Sequence, residues 1–262
     1  MSANNKPQSL IFILILIFSQ AAVADHALPE FHAKYDIEYF GVKAAEADYK
    51  LSYTDSGYKF TQKTKLAGMA SLFANDTVDA VSYIDESEQH LLLTKHRYIQ
   101  TGKEKNKNVD FIIDWDTSGK QVKGKITGTA RKNKVKLKTE TPVWDVLSFQ
   151  LPLMIEASKD KKNYPYNALL KGKIKTYNFT LNDIKEIEFA GKKHLSLQMI
   201  RKDPKRDRQL HLWLLPELNN IPVIIDVYRK GKKRSSILLS SVKFNDDKII
   251  SDNTNKITDD DF

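Results

Sequence analysis

The sequence predicts a mainly β protein, in which one antiparallel sheet of about 10–12 strands curls into a half-barrel or barrel-like shape with one central helix packed on it. Three observations support this fold class. From Phe31 onward, apolar and polar residues alternate with a period of two, as in antiparallel strands with one buried face. Short polar loops separate the alternating runs. One mid-chain segment has helical spacing instead.

The alternating runs follow one another along the chain. Tyr35, Ile37 and Tyr39 open the pattern, and Asp55-Ser-Gly57 is typical of a hairpin turn between two further runs. The later runs are 109–115, 122–128, 135–137, 195–199, 210–214, 223–227 and 237–244. No strand–helix–strand alternation is visible, which argues against a parallel doubly wound sheet.

The helical segment begins after Thr141, a suitable N-cap, with Pro142 at the first helical position. Pro152 is expected to kink or interrupt it. Its apolar stripe consists of Trp144, Leu147, Leu151 and either Met154 or Ile155. We predict a helix near 142–157 that lies across one mouth or face of the curled sheet.

The first 24 residues have the features of a secretory signal peptide. Lys6 precedes the apolar run 10–18, and Ala22-Val-Ala24 is a suitable cleavage site. Cleavage after Ala24 predicts an exported, periplasmic protein. The run is too short for a stable membrane anchor, and the absence of cysteine excludes both disulfides and a lipid-bearing cysteine. Residues 25–245 are predicted to form a single β-rich domain, and the polar, acidic stretch 246–262 a disordered tail.

The chain carries a formal net charge of +9, from 42 Lys and Arg and 33 Asp and Glu. Basic clusters occur at 103–107, 131–138, 202–208 and 229–234. Such a surface favours anionic partners. Solvated hairpin tips and strand edges explain the same clusters. Export argues against a nucleic-acid partner, and the sequence leaves the oligomeric state open.

A search for catalytic motifs finds no nucleophile elbow, zinc-protease motif or phosphate-binding loop, and no cofactor or metal site is predicted. His194 and His211 lie in consecutive predicted strands, but a turn centred near Pro204-Lys205 places His211 opposite Gln198. Asp110 and Asp114 share one strand face. Two acids so placed are found in glycan-cleaving carboxylate pairs, and equally on a solvent-exposed sheet face with no catalytic role.

The candidate ligand-binding residues are apolar. In a curled sheet with a helical lid, such side chains line a cavity for a lipid-like ligand, or they simply fill the core. Sequence does not separate these alternatives. The candidates are Trp144, Leu147, Leu151, Met154, Phe111, Trp115 and Trp213.

Three short motifs suggest a family. They are Asp145-Val-Leu-Ser148, Leu212-Trp-Leu-Leu-Pro216 followed by Ile221-Pro-Val223, and the opening Phe31-x-x-x-Tyr35. Together they resemble an uncharacterised proteobacterial family of exported proteins, domain of unknown function thirty-one-oh-eight, over about 31–244. The resemblance implies a periplasmic, mainly β protein and supplies no catalytic residues.

These observations favour a non-enzymatic periplasmic protein that binds an apolar or amphipathic envelope component on the concave sheet face, with basic rims holding an anionic head group. One alternative is a structural or protein-interaction component of the envelope. Another is a glycan or peptidoglycan hydrolase that uses paired carboxylates.

Overall fold

The computed structural model describes residues 26–72, 76–87, 89–102, 107–245 and 249–252. Their strands form one sheet in the order β8-β7-β6-β5-β4-β3-β2-β1-β15-β14-β13-β12-β11-β10-β9, and β16 pairs with β15. The pairs are antiparallel except β9 with β10. The sheet is nearly closed and barrel-like, so the predicted fold class is confirmed.

The first eight strands form a continuous antiparallel meander. They are β1 (Phe31–Tyr39), β2 (Val42–Thr54), β3 (Gly57–Leu66), β4 (Thr77–Glu86), β5 (Leu91–Gln100), β6 (Val109–Asp116), β7 (Lys123–Ala130) and β8 (Asn133–Thr139). A 3-10 turn at Gly68–Leu72 lies between β3 and β4.

The second half adds the helix and eight strands. They are β9 (Val143–Trp144), helix α1 (Gln150–Glu156), β10 (Asn163–Leu170), β11 (Lys173–Phe189), β12 (Lys192–Asp203), β13 (Arg208–Leu215), β14 (Ile221–Arg229), β15 (Lys232–Phe244) and β16 (Ile250–Ser251). Short 3-10 turns at Pro204–Arg206 and Pro216–Leu218 connect β12 to β13 and β13 to β14.

The described residues contain sixteen strands, more than the predicted 10–12. The alternation of hydrophobicity is weak in β4, because its buried positions include Ala80 and Ser82. In β11 only Phe179 and Phe189 are buried, and a bulge between Leu181 and Asp183 shifts the alternation between them.

The core lies on the inner face of the curled sheet. Across neighbouring strands, paired residues share a face. One such row runs from Phe111 through His96 and Ser82 to Phe60, and on to Leu51 and Phe31. The largest side chains that are fully buried are Tyr58, Tyr164, Phe60, Phe111 and Phe179. Aromatic side chains therefore fill much of the interior.

The helix is shorter than predicted. It begins at Gln150 rather than near Pro142, so the stripe prediction is wrong for the first turns. Val143 and Trp144 instead pair in parallel with Asn167 and Ala168 of β10. Pro152 is tolerated because it lies in the first turn of α1, where its missing N–H has no intrahelical partner to lose.

Two further predictions need correction. Within the stretch 246–262 that was predicted to be disordered, Ile250 pairs with Val242 and Ser251 with Ser241. His211 faces Ile200 rather than Gln198, because the turn between β12 and β13 takes up residues 204–207 and shifts the register by two residues. The predicted signal peptide, 1–24, lies outside the described residues.

In the described part of the chain, none of the helices has the length and hydrophobicity of a transmembrane segment.

Candidate functional site

Five of the predicted ligand-binding residues are packed into the core. Phe111 is 1% exposed, Leu147 and Leu151 are fully covered, and Trp144 and Met154 are nearly so. All five belong to one continuous hydrophobic cluster with the inner-face aromatics. The structure therefore brings these five side chains together, and protein atoms cover them.

The two remaining tryptophans are part of this cluster or pack against it. Trp115 is half-buried on the inner face, and its Nε1 donates to the Leu93 carbonyl at 2.8 Å. Trp213 pairs across the strands with Gln198 and Ile224, on the face opposite Leu212. The Lys185 ammonium lies 5.7 Å from its ring centroid. Trp213 is nevertheless only 8% exposed and belongs to the same hydrophobic cluster as the other five candidates.

An open groove of about 530 Å³ lies outside the helix. Trp144, Pro152, Ile155 and Tyr166 line it together with the ends of β5 and β10. The Tyr166 hydroxyl is buried, and burial, followed by the nearby charge of Glu156, raises its pKa above the usual range. Trp144 is thus a predicted candidate that borders an open groove.

Buried polar groups anchor the start of the helical segment. The Asp145 carboxylate accepts bonds from the backbone N–H groups of Leu147 at 2.6 Å and Ser148 at 3.0 Å. It also accepts from Ser148 Oγ at 2.6 Å and Ser82 Oγ at 2.7 Å. His96 Nδ1 lies 3.2 Å from the same carboxylate. Asp145 therefore caps its own turn and ties it to β4 and β5.

The same residues do not form a hydrolytic triad. A triad histidine uses one ring nitrogen for the serine and the other for the aspartate. Here Ser82 and Asp145 both approach Nδ1 of His96, at 3.0 and 3.2 Å. Ser82 is fully buried. The arrangement fits a structural anchor.

The other predicted polar candidates are on the surface. Asp110 and Asp114 are exposed on the outer face of β6, with Arg97 4.0 Å from Asp110. Four residues of strand separate them by roughly 13 Å, which is beyond the spacing of glycosidase pairs. His194 contacts Glu217 at 2.7 Å. In the described part of the chain, no three His, Cys, Asp or Glu side chains cluster as a metal would require.

The most distinctive surface is the end of the barrel opposite the helix. Four hairpin tips converge there, and we call them together the basic end: residues 131–134, 171–173, 201–208 and 229–234. They contain fifteen Lys or Arg and two Asp. Their net charge exceeds the +9 of the whole chain, so the remainder is net acidic.

Direct contacts hold the tips beside one another. The Lys230 N–H donates to the Asp207 carbonyl at 2.9 Å, and the Arg131 N–H donates to the Asn108 carbonyl at 2.6 Å. A Cβ placed on Gly172 would lie 2.7 Å from Val135, so the tip of β10–β11 packs against the edge of β8. The basic end is therefore a continuous surface, assembled from segments that are distant in sequence.

Lys171 lies among like charges. Its pKa is lowered chiefly by the charge of Arg131, then by burial, and then by Arg206, Lys107 and Arg208. Arg131 and Lys171 have no acid within ion-pair distance among the described residues. Like charges held together without neutralising acids attract anions.

Arg201 adds a cation on the inner face, below the rim. Its guanidinium stacks 3.9 Å from the centre of the Tyr177 ring. Its Nε is buried and has no hydrogen-bond partner among the described residues. A planar guanidinium with unused donors suits a phosphate or carboxylate group.

Two tips of the basic end carry lysine at a costly backbone position. Lys171 and Lys230 each have a φ of 52° and precede a glycine in a two-residue turn. Asparagine, aspartate or glycine is usual there, because a left-handed conformation costs other residues roughly 1 kcal/mol. Sequence reasoning found the basic clusters but not their convergence.

Comparisons with known proteins agree with this architecture. The sequence profile of a family described as "Protein of unknown function (DUF3108)" matches residues 34–230. The chain belongs to the DUF3108 family. No curated protein matches it. Among solved structures, the DUF3108 chain is similar to a beta-barrel-like protein of domain of unknown function DUF1849 from Brucella abortus. The TM-score is 0.55 and the sequence identity is 13%, and the match covers 84% of this chain and 99% of the other. At that identity the likeness shows the fold alone.

The three motifs that suggested this family meet around the helix. Asp145 and Ser148 form the capped turn described above. The Asn220 side chain, between the two halves of the second motif, donates to the carbonyls of Met154 at 2.8 Å and Ala157 at 3.2 Å. The Tyr35 hydroxyl donates to the Pro222 carbonyl at 3.0 Å. These motifs stabilise the fold of the DUF3108 chain.

Proposed function

We propose that the protein is a non-enzymatic periplasmic protein that binds an anionic, amphipathic component of the cell envelope through the basic end. The observation that carries the proposal is the convergence of fifteen basic side chains and two acids on one end of the barrel. Phosphate-bearing head groups provide the complementary charge. Because the sequence predicts a signal peptide, we expect the protein to lie in the periplasm, where such molecules are abundant.

The basic end accounts for binding better than the concave face beneath the helix. Leu147 and Leu151 are already fully covered by protein atoms. A ligand beneath the helix would have to displace them, at a cost of roughly 2–5 kcal/mol for each large side chain removed from its packing. Anion binding at the rim requires no such rearrangement. Arg201 and Tyr177 extend the rim inward and offer a cation beside an apolar ring.

A charge-matched pair of variants tests the proposal. The first removes three cations of the basic end, as Arg131→Gln, Lys171→Asn and Arg206→Gln. The second removes three lysines of β7 and β8 that lie outside it, as Lys123→Gln, Lys125→Gln and Lys138→Gln. Both variants lose the same net charge, so only position distinguishes them.

Calorimetric titration with monomeric dihexanoyl phosphatidic acid provides the measurement, with dihexanoyl phosphatidylcholine as the zwitterionic comparison. Each basic residue contributes about 1 kcal/mol to the binding free energy of an anionic lipid, so the first variant is expected to bind phosphatidic acid about 100-fold more weakly than the parent. The second variant should bind as the parent does, and added salt should weaken binding of the parent. Equal losses in both variants would show that general charge, rather than the basic end, attracts the lipid.

A further inference from the structure

Beside the basic end, the β1–β2 hairpin exposes three large apolar side chains. Tyr39 is 55% exposed, Phe40 is 61% exposed and Val42 is 64% exposed. The rings of Tyr39 and Phe40 stack edge to face, with their centroids 4.5 Å apart. Exposed apolar residues that are contiguous and project from a hairpin apex are typical of an interaction site.

This hairpin adjoins the tip of β14–β15. The Phe40 N–H donates to the Arg234 carbonyl at 3.1 Å, and the Arg234 guanidinium lies 5.4 Å from the centre of the Phe40 ring. Arg234 is the extra residue of a bulge, since the register shifts between Val227 and Tyr228. Residues 229–234 contain five Lys or Arg and no acid. The aromatic apex is thus set directly against concentrated positive charge.

The β1–β2 hairpin also carries acids, of which Asp36, Glu38 and Glu46 lie nearest the apex. Asp36 and Glu46 both form ion pairs with Lys43, at 2.9 and 3.0 Å. Lys65 of β3 also lies 3.5 Å from Glu46, so two lysines face these two acids. Glu38, next to Tyr39, adds one negative charge against the five Lys or Arg of the 229–234 tip. The surface around the apex remains net positive.

Phe40 itself occupies a costly position. Its φ is 53°, and it precedes Gly41 in a two-residue turn. Phenylalanine is less stable in this conformation than asparagine or glycine, by roughly 1 kcal/mol. Folding alone therefore does not explain a phenylalanine at the apex.

We propose that the β1–β2 apex docks the protein on an anionic bilayer surface, with Tyr39, Phe40 and Val42 entering the interfacial region and the 229–234 tip contacting lipid phosphates. Aromatic side chains prefer the membrane interface, and basic residues add attraction to anionic lipid. The inference rests on the proposed function, because the same basic end supplies the charge. It adds that the partner is a membrane surface rather than a single dispersed lipid.

The test uses Phe40→Asn, with Ala190→Asn as a matched control. Ala190 has a φ of 52° and precedes Gly191 in the β11–β12 turn at the opposite end of the barrel. Asparagine suits both turns, so neither change strains the backbone. Thermal unfolding of both variants checks that the fold is retained.

Sedimentation with vesicles of phosphatidylglycerol and phosphatidylcholine measures docking. Because Phe40→Asn removes one phenylalanine that would enter the bilayer interface, it should weaken vesicle binding about tenfold or more. Ala190→Asn should bind vesicles as the parent does. Phe40→Asn should keep the parent affinity for monomeric dihexanoyl phosphatidic acid. Unchanged vesicle binding by Phe40→Asn overturns the docking proposal, as does equal binding of the parent to vesicles of pure phosphatidylcholine.

The two proposals fail in different ways. If the parent binds monomeric anionic lipid but no vesicles, docking is wrong and the proposed function stands. If the parent binds neither, both are wrong.

Discussion

Replacing Asp145 with alanine removes the acceptor that holds the helical segment against the sheet. The carboxylate accepts four hydrogen bonds, two from backbone N–H groups and two from the hydroxyls of Ser148 and Ser82. Asp145, Ser82 and Ser148 are all buried, with at most 1% of their surface exposed. Water therefore cannot replace the lost acceptor without opening the structure.

The expected cost follows from these contacts. A hydrogen bond to a charged group contributes about 1.5–3 kcal/mol, and each buried donor left without its acceptor costs about 1–3 kcal/mol. Because contributions within one network are not additive, we expect a total loss of about 4 kcal/mol in the free energy of unfolding. For a domain of this size, that loss lowers the Tm by roughly 8–16 °C.

Urea unfolding followed by circular dichroism measures the change, and Asp114→Ala is the control. Asp114 is exposed on the outer face of β6, so its replacement should change the free energy of unfolding by less than about 0.5 kcal/mol. A loss below about 1 kcal/mol for Asp145→Ala would refute the role given to this network, since even an ordinary helix cap contributes that much.

Three further changes test other parts of the structure. Gly172→Ala should destabilise by about 2–4 kcal/mol in urea unfolding, because a backbone term of about 1 kcal/mol adds to about 1–3 kcal/mol for a Cβ that would lie 2.7 Å from Val135. Gly191→Ala meets open space and should cost only the backbone term, so equal losses of stability would contradict the packing of the β10–β11 tip against β8. Asn220→Ala should lower the free energy of unfolding by about 1–2 kcal/mol, because the carbonyls at the end of the helix lose their amide donor. A thermal midpoint equal to that of the parent would argue against this contact. Burial raises the pKa of the Tyr49 hydroxyl, so the unfolded chain ionises first and the free energy of unfolding falls as the pH rises above about 10. Tyr49→Phe should reduce this fall, as measured by urea unfolding between pH 9 and 11. An unchanged dependence of the free energy of unfolding on pH would count against this role of Tyr49.

The sheet was predictable where burial alternates cleanly. In β6, Phe111 and Ile113 point inward while Asp110 and Asp114 are exposed, as the period of two predicts. The helix start was not predictable in the same way. Trp144 and Leu147 have helical spacing, but Trp144 pairs with Ala168 of β10, a contact that only the folded sheet provides. Tertiary pairing overrode local propensity there.

The polar anchor and the basic end depend on long-range contacts. Asp145 meets Ser82 across 63 residues of sequence, and neither residue has a local pattern that identifies the other. Arg131 and Arg206 likewise belong to clusters that are separate in sequence and that converge on Lys171 only because their hairpin turns lie at the same end of the sheet. Sequence therefore indicated the charge, and the sheet order determined where that charge is concentrated.

The most direct test of the central claim is amide hydrogen exchange, measured with and without monomeric dihexanoyl phosphatidic acid. If the basic end binds the anionic head group, the lipid should slow exchange in the tips at 131–134, 171–173, 201–208 and 229–234. Exchange near Trp144 and across α1 should be unchanged. Protection confined to α1 and its groove, with none at the four tips, would contradict the claim and place the ligand at the helix end instead.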